Sequence, residues 1–270
     1  AAPARPNVVR TLGALSAVTD GELAAARDGL RRHPQFRGSP GLEDGRAVIA
    51  VLLGGDTDEY AVTAGFVETL LRQVLAVCDD TDGCCLVTTS RRTSQAVERL
   101  LSERLAQHSR CAMLLLASRD ELNGTVPGML GWASTVVVTG ESISMLSEAC
   151  ASGRRVVVVE PPVKPSRGAG ATKPQRFIRA LAEGGYVHHR PLPEVGHAIR
   201  RCLSSPATGR RLDTYAAVQK MGPYHSAIVG LQQYVRGPGS PLVQAQLAAF
   251  RQKAAERSLR MGLLEQKSQA

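Results

Sequence analysis

Short apolar runs and amphipathic stretches alternate along the chain from residue 47 to about residue 203. The run Ala47–Gly55 is apolar without interruption, which is typical of a strand covered on both faces of a sheet. The stretch 62–78 instead repeats its apolar residues at helical spacing. This regular alternation predicts right-handed βαβ units on a parallel sheet, which is an α/β, Rossmann-like fold.

The same pattern places the individual elements. The predicted strands cover 47–55, 84–90, 112–117, 135–139, 156–160 and 186–188, with a further short strand over 7–13. The predicted helices cover 62–78, 94–107, 127–133, 142–152, 174–183 and 192–203, after an earlier helix that begins at Thr19 or Asp20.

The pattern changes near Ser204. Residues 204–211 and 234–241 have the composition of linkers, and helices are predicted over 212–221 and 244–264. We therefore expect an amino-terminal segment with the first helix (1–46), a Rossmann-like region (47–203), and a linker with a helical basic tail (204–270). A lone helix is marginal in water unless its apolar stripe is covered. The tail is accordingly expected to be ordered by another macromolecule, either other protein subunits or RNA.

The chain is basic, with 33 Lys and Arg against 24 Asp and Glu and a formal net charge of +9. A basic excess suits nucleic acid, an anionic membrane face or an acidic partner. It is equally expected of an arginine-rich surface inherited from a GC-rich genome. Aromatic residues make up only 4% of the chain, too few for a platform that stacks single-stranded bases. No apolar run approaches the ~20 residues of a membrane-spanning helix.

Six cysteines lie in or beside apolar runs, at positions 78, 84, 85, 111, 150 and 202. They form neither a Cys-x-x-Cys motif nor a Cys/His ligand spacing, so a structural zinc ion is not expected. We predict free, buried thiols in a reducing compartment.

Two loops at the predicted carboxyl ends of strands carry candidate chemistry, and open parallel sheets bind ligands at this edge. Gly54 and Gly55 permit a backbone to approach a ligand closely, although such a pair is also simply a good strand-to-helix turn. The hydroxyls and paired arginines of 88–93, including Arg91, suit phosphate. The alternative is that Ser90 or Thr93 caps the next helix and the arginines are solvated.

A third loop lies in the stretch VVVTGESISMLSEACASGRRVVVVEPP, which reads as strand, turn, helix and strand. Gly140 permits the turn, Ser142 and Ser144 stand at the helix start, and Glu148 follows one turn beyond Ser144 on the same face. Hydroxyls and free N–H groups suit phosphate oxygens, and a carboxylate accepts from a sugar diol. The alternative is an N-cap at Ser142 and an ion pair between Glu148 and one of the arginines at 154 and 155.

Taken together, TGESISMLSEACASG, GGDT and TTSRRT resemble the Elm family, named for mitochondrial fission in plants and also found in bacteria. That family is related to GT-B glycosyltransferases. The segment SEACASGRRVVVV is also similar to the donor-site stretch of the N-acetylglucosaminyltransferase of peptidoglycan synthesis. The resemblance covers roughly residues 7–203. It implies the fold of the carboxyl-terminal half of GT-B proteins and a mitochondrial location, with a cytoplasmic one as the alternative.

The resemblance also implies a site for a nucleotide diphosphate or nucleotide sugar, with no other cofactor and no metal. By that resemblance Glu148 would take the ribose hydroxyls, Arg91 would face phosphate, and the glycine pair would form an interdomain turn. The full implied set is Gly54, Gly55, Arg91, Gly140, Ser142, Ser144, Met145 and Glu148.

Several departures from the family pattern argue against catalysis. Asp56, Asp58 and Glu59 follow the glycine pair where the family has a basic or His-containing run, and they would repel a diphosphate at close range. The chain begins where the second domain of a GT-B enzyme would begin, and no general base can be named.

The sequence therefore predicts a non-catalytic, Elm-like accessory or scaffold subunit of a larger, mitochondrial assembly, with a vestigial nucleotide-sugar site. The alternative is the nucleotide-sugar-binding half of a GT-B glycosyltransferase. An RNA-contacting protein is a third reading, which depends on charge alone.

Overall fold

Six parallel strands form the centre of the fold, in the order β3-β2-β1-β4-β5-β6. The strands are β1 (Val48–Leu52), β2 (Cys84–Thr88), β3 (Cys111–Leu115), β4 (Thr135–Thr139), β5 (Arg155–Val159) and β6 (His188–His189). The order reverses between β1 and β4, which is the topological switch point of a Rossmann-like sheet. The predicted α/β class is confirmed.

The structure, a computed structural model, describes residues 11–14, 16, 18–36, 42, 45–120, 124–165, 170–205 and 208–214. Its helices are α1 (Asp20–Leu30), α2 (Ala64–Asp80), α3 (Gln95–Leu105), α4 (Thr125–Trp132), α5 (Ile143–Ala151), α6 (Lys173–Glu183) and α7 (Val195–Ser204). A 3₁₀ turn, Leu192–Glu194, leads into α7. None of the described helices is long and apolar enough to span a membrane.

Side-chain caps fix where most of these helices begin. Thr19, Thr63, Ser94 and Thr172 each stand at the N-cap and accept a hydrogen bond from a backbone N–H of the first turn. The predicted start of α1 at Thr19 is confirmed. The expectation that Ser90 or Thr93 caps α3 was wrong, because Ser94 has this role.

The helices cover both faces of the sheet, which explains why the strands are apolar at every position. In β1 and the residue after it, Ile49, Val51 and Leu53 pack towards α2, α3 and α7. Val48 and the other alternate residues pack towards α1, α4, α5 and α6. Helix α1, which belongs to the predicted amino-terminal segment, packs closely on α4 because Gly131 has no side chain where Leu23 approaches.

Residues 208–214 lie against the α/β unit in an extended form. The backbone N–H of Leu212 donates to the carbonyl of Cys150 at 3.0 Å, and the Leu212 side chain is buried. The helix predicted over 212–221 is therefore absent from 212–214, and its other residues lie outside the described part. The described residues 11–13 of the strand predicted over 7–13 are not a strand. The tail from 215 onwards, with its predicted helix over 244–264, also lies outside the described residues.

All six cysteines are free and buried, as predicted. Cys78, Cys85 and Cys111 belong to the same buried cluster between β2, β3 and α2. The described residues contain no cluster of His, Cys, Asp and Glu that could hold a metal ion.

Candidate ligand site at the switch point of the sheet

The carboxyl ends of β1 and β4 are joined by side chains at the switch point. The N–H of Gly54 donates to Oγ1 of Thr139 at 2.8 Å, and the Thr139 hydroxyl in turn donates to Oε1 of Glu141 at 3.3 Å. The hydroxyl of Thr93, from the loop after β2, donates to the carbonyl of Gly54 at 2.6 Å. Three strand ends therefore meet around the predicted glycine turn.

Both glycines of this turn are approached closely by the chain itself. A Cβ atom on Gly54 would lie 1.4 Å from Oε1 of Glu141, and one on Gly55 would lie 2.1 Å from the backbone of Arg92. No side chain fits at position 55, because the obstacle is backbone, whereas a side chain at position 54 would have to displace the Glu141 carboxyl group. Folding alone thus accounts for the glycine pair, and its role towards a ligand stays a prediction.

Glu141 is the residue of this site that the sequence analysis missed. Its side chain is 4% exposed, and its Oε2 has no hydrogen-bond partner among the described residues. Burial raises the pKa of this carboxyl, and the backbone N–H of Glu141 itself, the Thr139 hydroxyl, the Arg92 charge and the N–H of Gly55 offset part of the rise. A charged residue between a buried strand and a helix was the available signal.

Helix α5 begins at this point without a side-chain cap. Ser142 stands at the N-cap as the alternative reading expected, and it is almost fully buried, but its hydroxyl makes no capping hydrogen bond. Ser144 is exposed, Met145 is half-buried against the core, and Glu148 is half-buried one turn after Ser144. The first-turn N–H groups of α5 therefore lack the hydroxyl cap that four other helices have.

Arg91 is exposed in the loop after β2. This loop is closed by its own hydroxyls, because the N–H of Ser90 donates to Thr93 Oγ1 and the N–H of Arg92 donates to Ser90 Oγ. The carbonyl of Arg92 accepts from the N–H of Asp56 at 3.3 Å. The backbone of the loop packs on the glycine turn, and the contact of Arg91 with phosphate stays a prediction.

The acidic residues after the glycine pair belong to a loop that is bonded to the loop after β5. The carbonyl of Glu59 accepts from the N–H of Lys164 at 2.9 Å, and the N–H of Ala61 donates to Pro162 at 2.9 Å. The carboxylate of Asp56 accepts from the N–H of Val62 at 2.8 Å. Asp56 and the Glu59 backbone therefore hold the loop in place.

A second polar cluster lies on the other side of Gly140, where a Cβ atom would be 3.3 Å from Cγ of Glu160. Glu160 accepts from Nε2 of His189 at 2.8 Å and from the hydroxyl of Tyr60 at 3.2 Å. The Tyr60 hydroxyl also lies 2.9 Å from Oγ1 of Thr172. The hydrogen bond from His189 lowers the pKa of Glu160, and burial raises that of Tyr60 to about 12.

The arginines after α5 hold other parts of the chain. The guanidinium of Arg154 donates to the carbonyls of Leu130 and Gly131 at 3.0 Å, where it satisfies the last turn of α4. The guanidinium of Arg155 donates to the hydroxyl of Ser205. Both arginines therefore have a structural role, because they bind carbonyl and hydroxyl groups of other parts of the chain.

The glycine turn, the loop that carries Arg91 and the start of α5 lie at the carboxyl ends of three neighbouring strands, and the local charge there is mixed. The N-terminus of α5 favours an anion through its unbonded N–H groups and the helix dipole. The buried carboxyl of Glu141 opposes an anion whenever it is ionised. Phosphate can bind here only if the attraction of the helix N-terminus exceeds the repulsion by Glu141.

Comparison with known proteins places this chain in a defined group. A sequence model of the family described as mitochondrial fission ELM1 matches residues 1–208. The Arabidopsis thaliana protein named mitochondrial fission protein ELM1 is 29% identical over 160 residues, a match that covers 58% of this chain. The match covers only 34% of the plant protein, so the chain spans a minor part of that relative.

Solved structures give weaker similarities. A putative UDP-N-acetylglucosamine 2-epimerase from Listeria monocytogenes matches with a TM-score of 0.47 and 13% identity, over 71% of this chain and 48% of the epimerase. The S. aureus MnaA–UDP structure matches with a TM-score of 0.47 and 12% identity, over 76% of this chain and 53% of that protein. The E. coli ADP-heptose LPS heptosyltransferase II matches with a TM-score of 0.43 and 13% identity, over 69% and 52%. Similarities of this size carry no information on a ligand.

Proposed function

Because this chain belongs to the mitochondrial fission ELM1 family, we propose that it is a non-catalytic accessory subunit of a larger assembly. The family match confirms the resemblance carried by the three loops, and the family name suggests a mitochondrial association. In this proposal the nucleotide-sugar site is vestigial. The Rossmann-like domain is the folded platform, and the basic tail binds other protein subunits.

The observation that carries the proposal is the position of Glu141. Its carboxyl group fills the space beside Gly54, next to the helix N-terminus that a diphosphate would need. A diphosphate would also face the acidic loop 56–59 at close range. Like charges at close range repel, so Glu141, when ionised, and the acidic loop both oppose the binding of an anion.

Titration calorimetry tests the vestigial site. At about pH 7.5, where side-chain carboxyls of ordinary pKa are ionised, we expect neither UDP nor UDP-N-acetylglucosamine to give a binding heat with the wild-type chain. Saturable binding of either compound, weakened by Glu148→Ala, would overturn this part of the proposal. The exposed Glu103→Ala serves as the matched control, because Glu103 lies late in α3, away from the switch point.

The assembly role needs a separate test. The full chain and a chain ending at Thr214 are expressed with an affinity tag in the native host, and the native size of each is compared. We expect the full chain to migrate in a complex much larger than its own mass, and the shortened chain to migrate alone. Sensitivity of that complex to ribonuclease would indicate RNA as the partner in place of protein.

The second candidate function is the nucleotide-sugar-binding half of a GT-B glycosyltransferase. It is favoured by the uncapped start of α5, where Ser142 leaves its hydroxyl unused for capping and Glu148 follows on the same helix. If this candidate is correct, wild-type chain binds a UDP-sugar. Glu148→Ala then weakens binding by ~1.5–3 kcal/mol, because the ribose hydroxyls lose their charged acceptor.

A further inference from the structure

The carboxyl group of Glu141 has an unusual position for a residue just before a helix. Glu141 immediately precedes the N-cap Ser142, yet its side chain turns inward, towards Gly54, and is 4% exposed. Oε1 receives the Thr139 hydroxyl, whereas Oε2 has no partner in the part of the chain that the structure describes. An ionised carboxylate normally accepts several hydrogen bonds when it is buried.

Two independent observations therefore point to the same crevice. The first is the nine-residue helix α5, whose N-cap hydroxyl makes no capping bond. The second is the unpartnered Oε2 of a buried carboxyl beside that helix start. The helix N-terminus attracts negative charge, and Glu141 supplies a negative charge from inside the chain whenever it is ionised.

The charged groups around Glu141 do little to stabilise its carboxylate in the ionised form. Arg92, from the loop after β2, is the charged side chain that favours its ionised form. On the far side of Gly140, the carboxylate of Glu160 is already engaged by His189 and Tyr60. The other groups that favour the ionised form are neutral: the backbone N–H groups of Glu141 and Gly55 and the hydroxyl of Thr139.

We propose that Glu141 is a proton-controlled gate for anions at the start of α5. When ionised, it closes the crevice to a phosphate-bearing ligand, and when neutral it leaves the helix N-terminus free to bind one. Two negative charges close together repel, so an ionised Glu141 weakens the binding of an anion at the start of α5. An anionic ligand therefore binds with uptake of a proton by Glu141.

The test compares the wild-type chain with Glu141→Gln, which keeps the shape and removes the charge. UDP is titrated into each protein by calorimetry at about pH 6 and about pH 8. UDP itself takes up a proton near pH 6, so the quantity compared is the ratio of the two dissociation constants at each pH. We expect the ratio of wild type to variant to be several-fold higher at about pH 8 than at about pH 6, because a larger fraction of Glu141 is ionised at the higher pH.

Two controls separate this gate from general effects of charge. Glu103→Gln removes an exposed carboxylate from α3 and should leave the wild-type affinity unchanged at both pH values. Inorganic pyrophosphate, used as a second probe, should show the same ratio as UDP, because the gate acts on phosphate charge and not on the base or ribose. A ratio that does not rise with pH would overturn the proposal.

A measurement on wild type alone keeps the test valid if Glu141→Gln does not fold. The wild-type chain is titrated at about pH 6 and about pH 8 with sulfate, whose own charge does not change between these values. We expect sulfate to bind at the lower pH and to bind at least several-fold more weakly at the higher pH. No binding at the lower pH, or an affinity that does not fall as the pH rises, would overturn the gate.

The outcomes also distinguish this inference from the vestigial site proposed above, on which it builds. If neither protein binds UDP or pyrophosphate at either pH, the gate is wrong and the vestigial site stands. If wild type binds UDP at about pH 7.5 and the ratio still rises with pH, the gate stands and the vestigial site is wrong.

Discussion

The hydroxyl of Thr139 accepts a hydrogen bond from the backbone N–H of Gly54 at 2.8 Å, and this bond joins the two strands on either side of the switch point. The same hydroxyl donates a hydrogen bond to Oε1 of Glu141 at 3.3 Å. The relationship matters because it places a buried carboxyl group beside the glycine turn, where the sequence analysis predicted a diphosphate site. The Thr139 hydroxyl therefore contributes both to the pairing of β1 with β4 and to the position of the carboxyl group in the candidate site.

Gly54→Ala should destabilise the chain strongly. The added Cβ would lie 1.4 Å from Oε1 of Glu141 and 3.3 Å from Oγ1 of Thr139, so the carboxyl group must move away from a packed position. We expect a loss of about 3 kcal/mol in the free energy of unfolding, measured by urea denaturation.

A matched pair of variants checks the cause. Gly65→Ala adds the same methyl group to an exposed position in α2 with nothing within 4 Å, and should be neutral or stabilise by ~0.5–1 kcal/mol. Glu141→Ala should relieve the clash in the Gly54→Ala background, with a coupling of ~1–3 kcal/mol. Simple additivity of the two changes would show that the carboxyl group is not what excludes a side chain at position 54.

Glu141 should make the chain less stable as the pH rises. Burial raises its pKa in the folded state above the unfolded value. The folded chain then binds more protons than the unfolded chain, so stability is complete below the unfolded pKa and is lost as the pH rises through the folded pKa. Each unit of pKa difference is worth about 1.4 kcal/mol.

Thermal unfolding of wild type and Glu141→Gln across the range of about pH 4–8 measures this effect. The variant cannot ionise, so its advantage over wild type should grow with pH. A constant difference between the two melting curves would mean that Glu141 titrates with the same pKa in the folded and unfolded chains.

The sheet could be predicted from the sequence because its strands are covered on both faces. Uninterrupted runs such as Thr135–Thr139 have few other structures open to them, and this strand was predicted with the bounds that the structure shows. The predicted bounds differ from the structure at the carboxyl end of β1. The strand predicted to reach Gly55 ends at Leu52, because Leu53 and the glycines turn towards the loop after β2.

The site was harder to predict, because its contacts are made between residues far apart in the chain. The bond from Gly54 to Thr139 joins positions 85 residues apart. The Glu141 side chain reaches its buried position beside Gly54 only after β1 and β4 have paired. In the same way, the extended form of Leu212 depends on its bond to Cys150, which no local pattern of 212–221 contains.

The cysteines should be unreactive until the chain unfolds. Burial raises the pKa of Cys84 and Cys150 to about 12, and it raises that of Cys202 as well. Thiolate, the reactive form, is therefore scarce near neutral pH. Alkylation without reductant, read by mass spectrometry, should modify all six cysteines in guanidinium chloride and few in the folded chain. A cysteine that stays unmodified after unfolding would indicate a disulfide.

Tyr60→Phe should destabilise the chain in a pH-dependent way. The Tyr60 hydroxyl bonds to Thr172 at 2.9 Å and to Glu160 at 3.2 Å, and the ring is fully buried. Removing the hydroxyl leaves the half-buried Glu160 carboxylate with one hydrogen-bond donor fewer. We expect this loss to lower the free energy of unfolding by about 1–2 kcal/mol at neutral pH. Tyr186→Phe, which keeps its ring beneath Arg210, is the control and should change stability by less than about 0.5 kcal/mol.

The direction of the pH effect follows from the pKa of Glu160, which is lowered first by His189 and also by the Tyr60 hydroxyl. A lowered pKa contributes stability above the unfolded value, and that contribution is lost as the pH falls through the folded pKa. Tyr60→Phe removes part of it, so the difference from wild type should shrink on acidification as Glu160 becomes protonated. Urea denaturation at neutral pH and at about pH 4 decides the point. A difference that is unchanged or larger in acid would mean that the Tyr60 hydroxyl acts through Thr172 alone and not through Glu160.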